Sequence, residues 1–150
     1  MTTSFEPILG WRVWHVEPGA DGARLLSWSQ SAEWPVARRM DAGCRAPLGL
    51  GWRRPAHGAP RAGHRCGIYA FRERADAERL LLEAGPAGAG RGRLAAALGR
   101  VSLWGRVFEN TRGWRAEFAY PYDLLLFGGD QRLAAELRAG YAVDVMLADA

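Results

Sequence analysis

The chain has no lysine: all 20 of its basic residues are arginine. With the richness in Ala and Gly, this is the residue usage of a high-GC bacterial genome, so an arginine here is weaker evidence of a selected contact than usual. Residues 85–92 are glycine-rich but lack a Gly-Lys-Ser/Thr ending, which excludes a phosphate loop and leaves a surface linker. There are only two cysteines, too few for a disulfide scaffold, and a chain of this size does not need a Cys44–Cys66 bridge to fold. No uninterrupted apolar stretch reaches membrane-spanning length, and the opening Met-Thr-Thr-Ser-Phe-Glu-Pro has no basic stretch followed by an apolar one. Cytoplasmic residence without membrane insertion is expected. No Gly-x-Ser-x-Gly elbow occurs, and Glu109, Glu117 and Asp123 form no paired-carboxylate motif. Gly-Ile-Tyr at 67–69 opens a nuclease signature, but the matching Tyr-Ile-Gly is missing downstream.

What is present suits one α+β domain spanning 1–150. The length is enough to enclose a core without crosslinks, and 49% apolar with 24% charged residues is ordinary for a globular protein. Seven tryptophans are many for 150 residues; buried they supply apolar area, exposed they supply stacking platforms. The net charge of +4 is unevenly placed. Residues 37–66 hold seven arginines against Asp41, a net +6, leaving the remainder near −2. That concentration favours anionic partners, while a solvated basic surface explains it equally well.

Periodicity predicts antiparallel hairpins with two or three short helices. Residues 8–17 alternate, with Arg12, Trp14 and Val16 on one side and Trp11, Val13 and His15 on the other. The turn region 18–22 leads to a returning strand over 24–29, and 34–36 continues the sheet at an edge. Residues 42–66 lose all periodicity and form an irregular excursion. Residues 66–71 read as a buried strand and 73–84 as a helix, with Ala77, Leu80, Leu81 and Ala84 on one face. Gly85-Pro86 should end that helix and open a flexible loop over 85–93. Residues 94–98 read as a helical turn. Residues 101–109 and 113–120 form the strongest hairpin, stopped by Pro121. A helix over 132–139 and a strand over 142–147 complete the pattern, which favours α+β over a doubly wound sheet.

The irregular segment contains Cys44, His57, His64 and Cys66, both cysteines and two of three histidines. Two thiolates and two imidazoles could hold zinc tetrahedrally and organise a loop with little apolar content. Competing readings are a partly buried inert Cys66 with solvent-facing histidines, and a disulfide or redox role. A cysteine nucleophile activated by imidazole ranks behind these. His15 reads as a packed or rim histidine rather than a general base.

Four pieces carry a resemblance: Gly10-Trp11-Arg12-Val13-Trp14, Cys66-Gly67-Ile68-Tyr69-Ala70, Leu103-Trp104-Gly105-Arg106-Val107 and Gly113-Trp114-Arg115-Ala116-Glu117-Phe118-Ala119-Tyr120-Pro121. They resemble a family of small, largely uncharacterised actinobacterial proteins, with no activity to carry over. The resemblance implies a centre of Cys, then His-x-x-Pro, then Cys-x-Cys-Gly-Ile-Tyr-Ala. Cys44, His57-Gly58-Ala59-Pro60 and Cys66 match it. His64 stands where the pattern places its other cysteine, a substitution that keeps a zinc ligand.

Two further clusters suggest binding. Arg53, Arg54, Arg61 and Arg65, with Trp52 among them, could contact phosphates and stack a base, and Arg91, Arg93 and Arg100 could extend that surface. No helix-turn-helix or other nucleic-acid module accompanies them. Trp104, Trp114 and Tyr120 could line an aromatic pocket, with Arg106 and Arg115 orienting a carboxylate-bearing ligand; filling the core is the commoner use of such aromatics. The expected function is therefore a non-enzymatic binding or protein-interaction domain with an arginine-rich, metal-stapled loop. The alternatives are a nucleic-acid-binding protein, a small-molecule-binding accessory protein and a metal-dependent enzyme. Zinc is the candidate cofactor, and an anionic ligand, nucleic acid or another protein the candidate partner.

Overall fold

The computed structural model describes residues 1–29, 32–43, 46–48, 51–53, 60, 66–88 and 95–148, without the side chains of 4, 46–48, 51–53 and 84–88. Two long strands form its spine. Strand β1 (Thr2–Glu17) runs antiparallel to β7 (Ala95–Glu109), pairing Trp14 with Ala97 and Val16 with Ala95. Large side chains on β1 thus face small ones on β7. Both faces are covered, as the alternation predicts. Trp14 and Val16 enter the larger core, while Val13 joins Leu98 and Ala77 in a smaller cluster with Trp11, Phe71 and Leu80. Completely burying an indole of about 200 Å² contributes about 5 kcal/mol before conformational entropy is counted.

The helical turn expected over 94–98 is instead the start of β7. Alanine propensity favours helix, but tertiary packing overrides it. A Cβ at position 99 would collide with the carbonyl of Asp123, so the backbone of β7 approaches its neighbour where only glycine fits.

On one edge β7 pairs first with β9 (Asp123–Phe127) and then with β8 (Gly113–Pro121). Periodicity did not single out β9. The β7–β8 hairpin forms where expected: Asn110 Oδ1 accepts from the amides of Arg112 and Gly113, both at 2.9 Å. Strand β6 (Ile68–Phe71) pairs with β8 and touches β1 through Trp11 and Phe71. The circuit β1–β7–β8–β6–β1 therefore closes on itself. A Cβ at position 113 would collide with the carbonyl of Ala70, so Gly113 permits this tight closure.

Shorter elements complete the sheet. Strand β2 (Arg24–Ser27) returns along β1, and β3 (Met40–Asp41) pairs with the far end of β8. Residues 34–36 add no strand; Glu33 makes only an isolated bridge to Leu26. Within the segment expected to be irregular, β4 (Ala46–Leu48) and β5 (Gly51–Arg53) form a separate two-stranded pair.

Helix α1 (Arg74–Gly88) covers the smaller cluster. It runs through Gly85-Pro86 for a further turn, past the stop expected there. Proline at 86 forfeits the bond an amide there would give to the carbonyl of residue 82, a loss confined to the last turn of α1. Helix α2 (Gln131–Tyr141) is capped by Asp130, whose side chain accepts from the Leu133 amide at 2.9 Å. It buries Ala134, Leu137 and Tyr141, then leads to β10 (Asp144–Leu147), parallel to β9. The result is a single α+β domain with a mixed, mostly antiparallel sheet and two helices.

Candidate functional site: an arginine-bridged aromatic cavity

The free edge of β1 is shared by two strands that do not meet. Strand β2 pairs as far as Trp14↔Ser27, and β6 takes over at Trp11↔Phe71. Arg12 and Val13 lie between, paired only with β7. A cavity of about 560 Å³ opens at this gap. Its wall includes half-buried Trp11, Trp28 and Trp114 and fully buried Trp34, with Tyr69 and Phe71 beside them.

Arg12 spans the gap. Its Nη1 donates to the Tyr69 carbonyl on β6 at 2.5 Å, and its Nη2 donates to Ser27 Oγ on β2 at 3.3 Å. Its guanidinium lies 5.0 Å from the centre of the Trp34 ring. Nε is buried and meets no acceptor among the described residues. The residue keeps partial exposure through the cavity while its inner atoms are sealed. Burial lowers the Arg12 pKa to about 10, so the group stays charged at neutral pH but under a penalty. Ser27 Oγ also accepts from Trp34 Nε1 at 2.9 Å, so both bonds use its lone pairs and leave its proton for another acceptor.

The other edge of the spine offers a direct contrast. Where β7 passes from β9 to β8, Arg100 fills the switch, and Asp123 answers it. Asp123 Oδ2 accepts from Arg100 Nε and Nη2 at 3.0 and 2.7 Å, while Oδ1 accepts from the Arg100 amide at 2.9 Å. The hydrogen bonds and charge of Asp123 raise the Arg100 pKa. No carboxylate pairs with Arg12 among the described residues. Among the described residues, the one acid in the cavity wall, Asp41, is held by Arg39 at 2.7 Å. Residues 42–66 contain no Asp or Glu at all.

No family model, curated protein or solved structure matches this chain. What the cavity can do is therefore carried by its own chemistry.

Of the candidate metal ligands, Cys44, His57 and His64 lie outside the described residues, as do Arg54, Arg61, Arg65, Arg91 and Arg93. Trp52 and Arg53 belong to β5, described as backbone alone. Cys66 is half-buried with a free thiol, and it stands in the cavity wall with Gly43. Both ends of the arginine-rich segment thus meet the cavity. Pro60 is buried beside Gly67. No group of three or more metal-binding side chains occurs among the described residues.

The five pocket candidates on the β7–β8 hairpin do not converge. Trp114 lines the cavity, with the Arg72 guanidinium 4.6 Å from its ring centre. Trp104 packs against Phe118, and Arg106 pairs with Glu117 at 3.3 Å. Arg115 donates to the Cys66 carbonyl at 2.8 Å and lies over Phe108. Tyr120 donates to the Tyr141 carbonyl at 2.7 Å, tying the sheet to α2. His15 stacks on Trp28 with centroids 4.0 Å apart, a packed histidine as its strand position suggests.

Sequence reasoning missed Arg12, Ser27, Trp28 and Trp34 as site residues. One signal was present: Arg12 alternates in step with Trp14 and Val16, so it had to share their inward face.

Proposed function

We propose that this chain is a non-enzymatic binding domain, and that the cavity between β2 and β6 receives a small organic molecule. The observation that carries this reading is a void of about 560 Å³ walled by four indoles from four separate segments. Ligand sites of about 300–1,000 Å³ with aromatic walls and a few convergent polar groups are the ordinary form of small-molecule pockets. Indole surface left facing water is unfavourable, and a bound apolar body relieves it.

The non-enzymatic reading rests on the described charged groups facing the void: Asp41 is paired with Arg39, Arg12 donates to Tyr69 and Ser27, and the remaining one, Arg112, is exposed. Zinc at Cys44, His57, His64 and Cys66 would be a closed four-ligand centre. Such a centre would staple the arginine-rich segment beside the cavity and leave no open position for a reaction.

Indole N–H resonances test the proposal, using mixtures of aromatic fragments of neutral, cationic and anionic character. Binding at the cavity shifts Trp11, Trp28, Trp34 and Trp114 and leaves Trp104, which does not line it, in place. Shifts confined to Trp104, or none at millimolar fragment, would refute the assignment.

A further inference from the structure

We infer that the cavity selects a carboxylate carried on a flat aromatic body, with the carboxylate held by Arg12 and Ser27. This rests on the preceding reading that the cavity is a binding site, and it adds the charge and shape of the ligand. A guanidinium has five N–H donors. Two of Arg12's are used, by the Tyr69 carbonyl and Ser27 Oγ, and among the described residues Nη1 and Nη2 each keep one more. A carboxylate matches two parallel N–H donors, and charge-assisted bonds of this kind are about twice as strong as neutral ones. The Ser27 proton supplies a third donor beside them.

Charge decides against a neutral ligand. Among the described residues, Arg12 carries its positive charge into an aromatic wall with no acid to answer it, whereas Arg100 at the equivalent switch has Asp123. The wall's other cation, Arg112, is exposed, and its acid, Asp41, is already neutralised by Arg39. Among the described residues of the wall, Arg12 is thus the partly buried cation left without an acid, and one carboxylate balances it where a phosphate dianion would exceed it. The body of the ligand follows from the indoles, which favour flat rings in stacked or edge-on contact.

The test compares 2-naphthoate with its neutral isostere 2-naphthamide, and with 2-naphthyl phosphate, by calorimetry on the wild-type chain and on Arg12→Gln. Wild type should bind naphthoate at least ten-fold more tightly than the amide, the smallest gain expected of a buried charge-assisted pair. The phosphate should fall behind naphthoate. Arg12→Gln should bring naphthoate to within about three-fold of the amide measured on the same variant. Equal binding of naphthoate and amide by wild type overturns the carboxylate inference and leaves the binding site standing. Tighter binding of the phosphate overturns the carboxylate assignment in favour of a dianion. Failure of all three ligands at millimolar concentration overturns the cavity as a binding site as well. Should Arg12→Gln not fold, the wild-type comparison alone still decides.

Discussion

Replacing Arg12 with Met separates an arginine kept for a ligand from one kept for the fold. Methionine preserves the long, flexible stem and so most of the packing. The guanidinium's removal has two opposing effects. Bonds to Tyr69 O and Ser27 Oγ disappear, at about 1 kcal/mol each if nothing replaces them. Both acceptors adjoin a cavity large enough for water, which offsets part of that loss. In return the folded chain no longer holds a desolvated charge. Lowering the Arg12 pKa from its ordinary value to about 10 corresponds to a penalty on the order of 3 kcal/mol, reduced to about 1–2 kcal/mol by solvent in the cavity. The expected balance in the empty protein runs from no change to a gain of about 1 kcal/mol. Urea unfolding followed by tryptophan fluorescence and circular dichroism at neutral pH measures it. A loss above about 2 kcal/mol would refute the reasoning, because it would make Arg12 a strut bracing β2 to β6. The pH dependence supplies a second check. Arg12 is a base whose folded pKa lies below its unfolded one, so its penalty is full below about pH 10 and fades as pH rises above it. Any advantage of Arg12→Met should shrink over that range, and an advantage that grows would contradict the burial argument.

Two further outcomes probe the frame. The buried Tyr141 hydroxyl accepts from the Leu25 amide at 2.8 Å and donates to the Trp34 carbonyl at 2.7 Å, so Tyr141→Phe should cost about 1–3 kcal/mol at neutral pH in the same unfolding assay. Burial raises the Tyr141 pKa to about 12, so the unfolded chain ionises first and stability falls between about pH 10 and 12; that component should vanish in the variant. Ala142 ends α2 in the left-handed region at φ 57° with an exposed side chain, and Ala142→Gly should therefore raise stability by about 0.5–1 kcal/mol, read as a higher urea midpoint. A lower midpoint would show that the residue is not strained.

Local signals carried much of the architecture. The alternation over 8–17 marked both faces of β1, Asn110 marked the β7–β8 turn, and the spacing of Leu133 and Leu137 marked α2. Each is a short-range preference that survives in the folded chain. The run Ala95-Ala96-Ala97-Leu98-Gly99 misled for the opposite reason: its intrinsic preference is helical, but small residues are what β7 needs opposite Trp14 and against Asp123. Strand β9, a leucine run without alternation, gave no periodic signal to read.

The site was less legible, because its parts are distant in sequence. Trp28, Trp34 and Trp114 meet at a gap whose existence depends on where β2 stops pairing and β6 begins. No local pattern encodes that meeting point, since it is set by the closure of the whole strand circuit. Sequence alone determined the excess of tryptophan and arginine, the absence of acid from residues 42–66, and the shared side of Arg12, Trp14 and Val16. Tertiary structure decided which arginine would find a carboxylate. Pairing between β7, β8 and β9 brought Asp123 to Arg100, while among the described residues β2 and β6 brought Arg12 a hydroxyl and a backbone carbonyl and no acid. Burying a charge is costly unless something compensates it, and the fold leaves that compensation at Arg12 to a ligand.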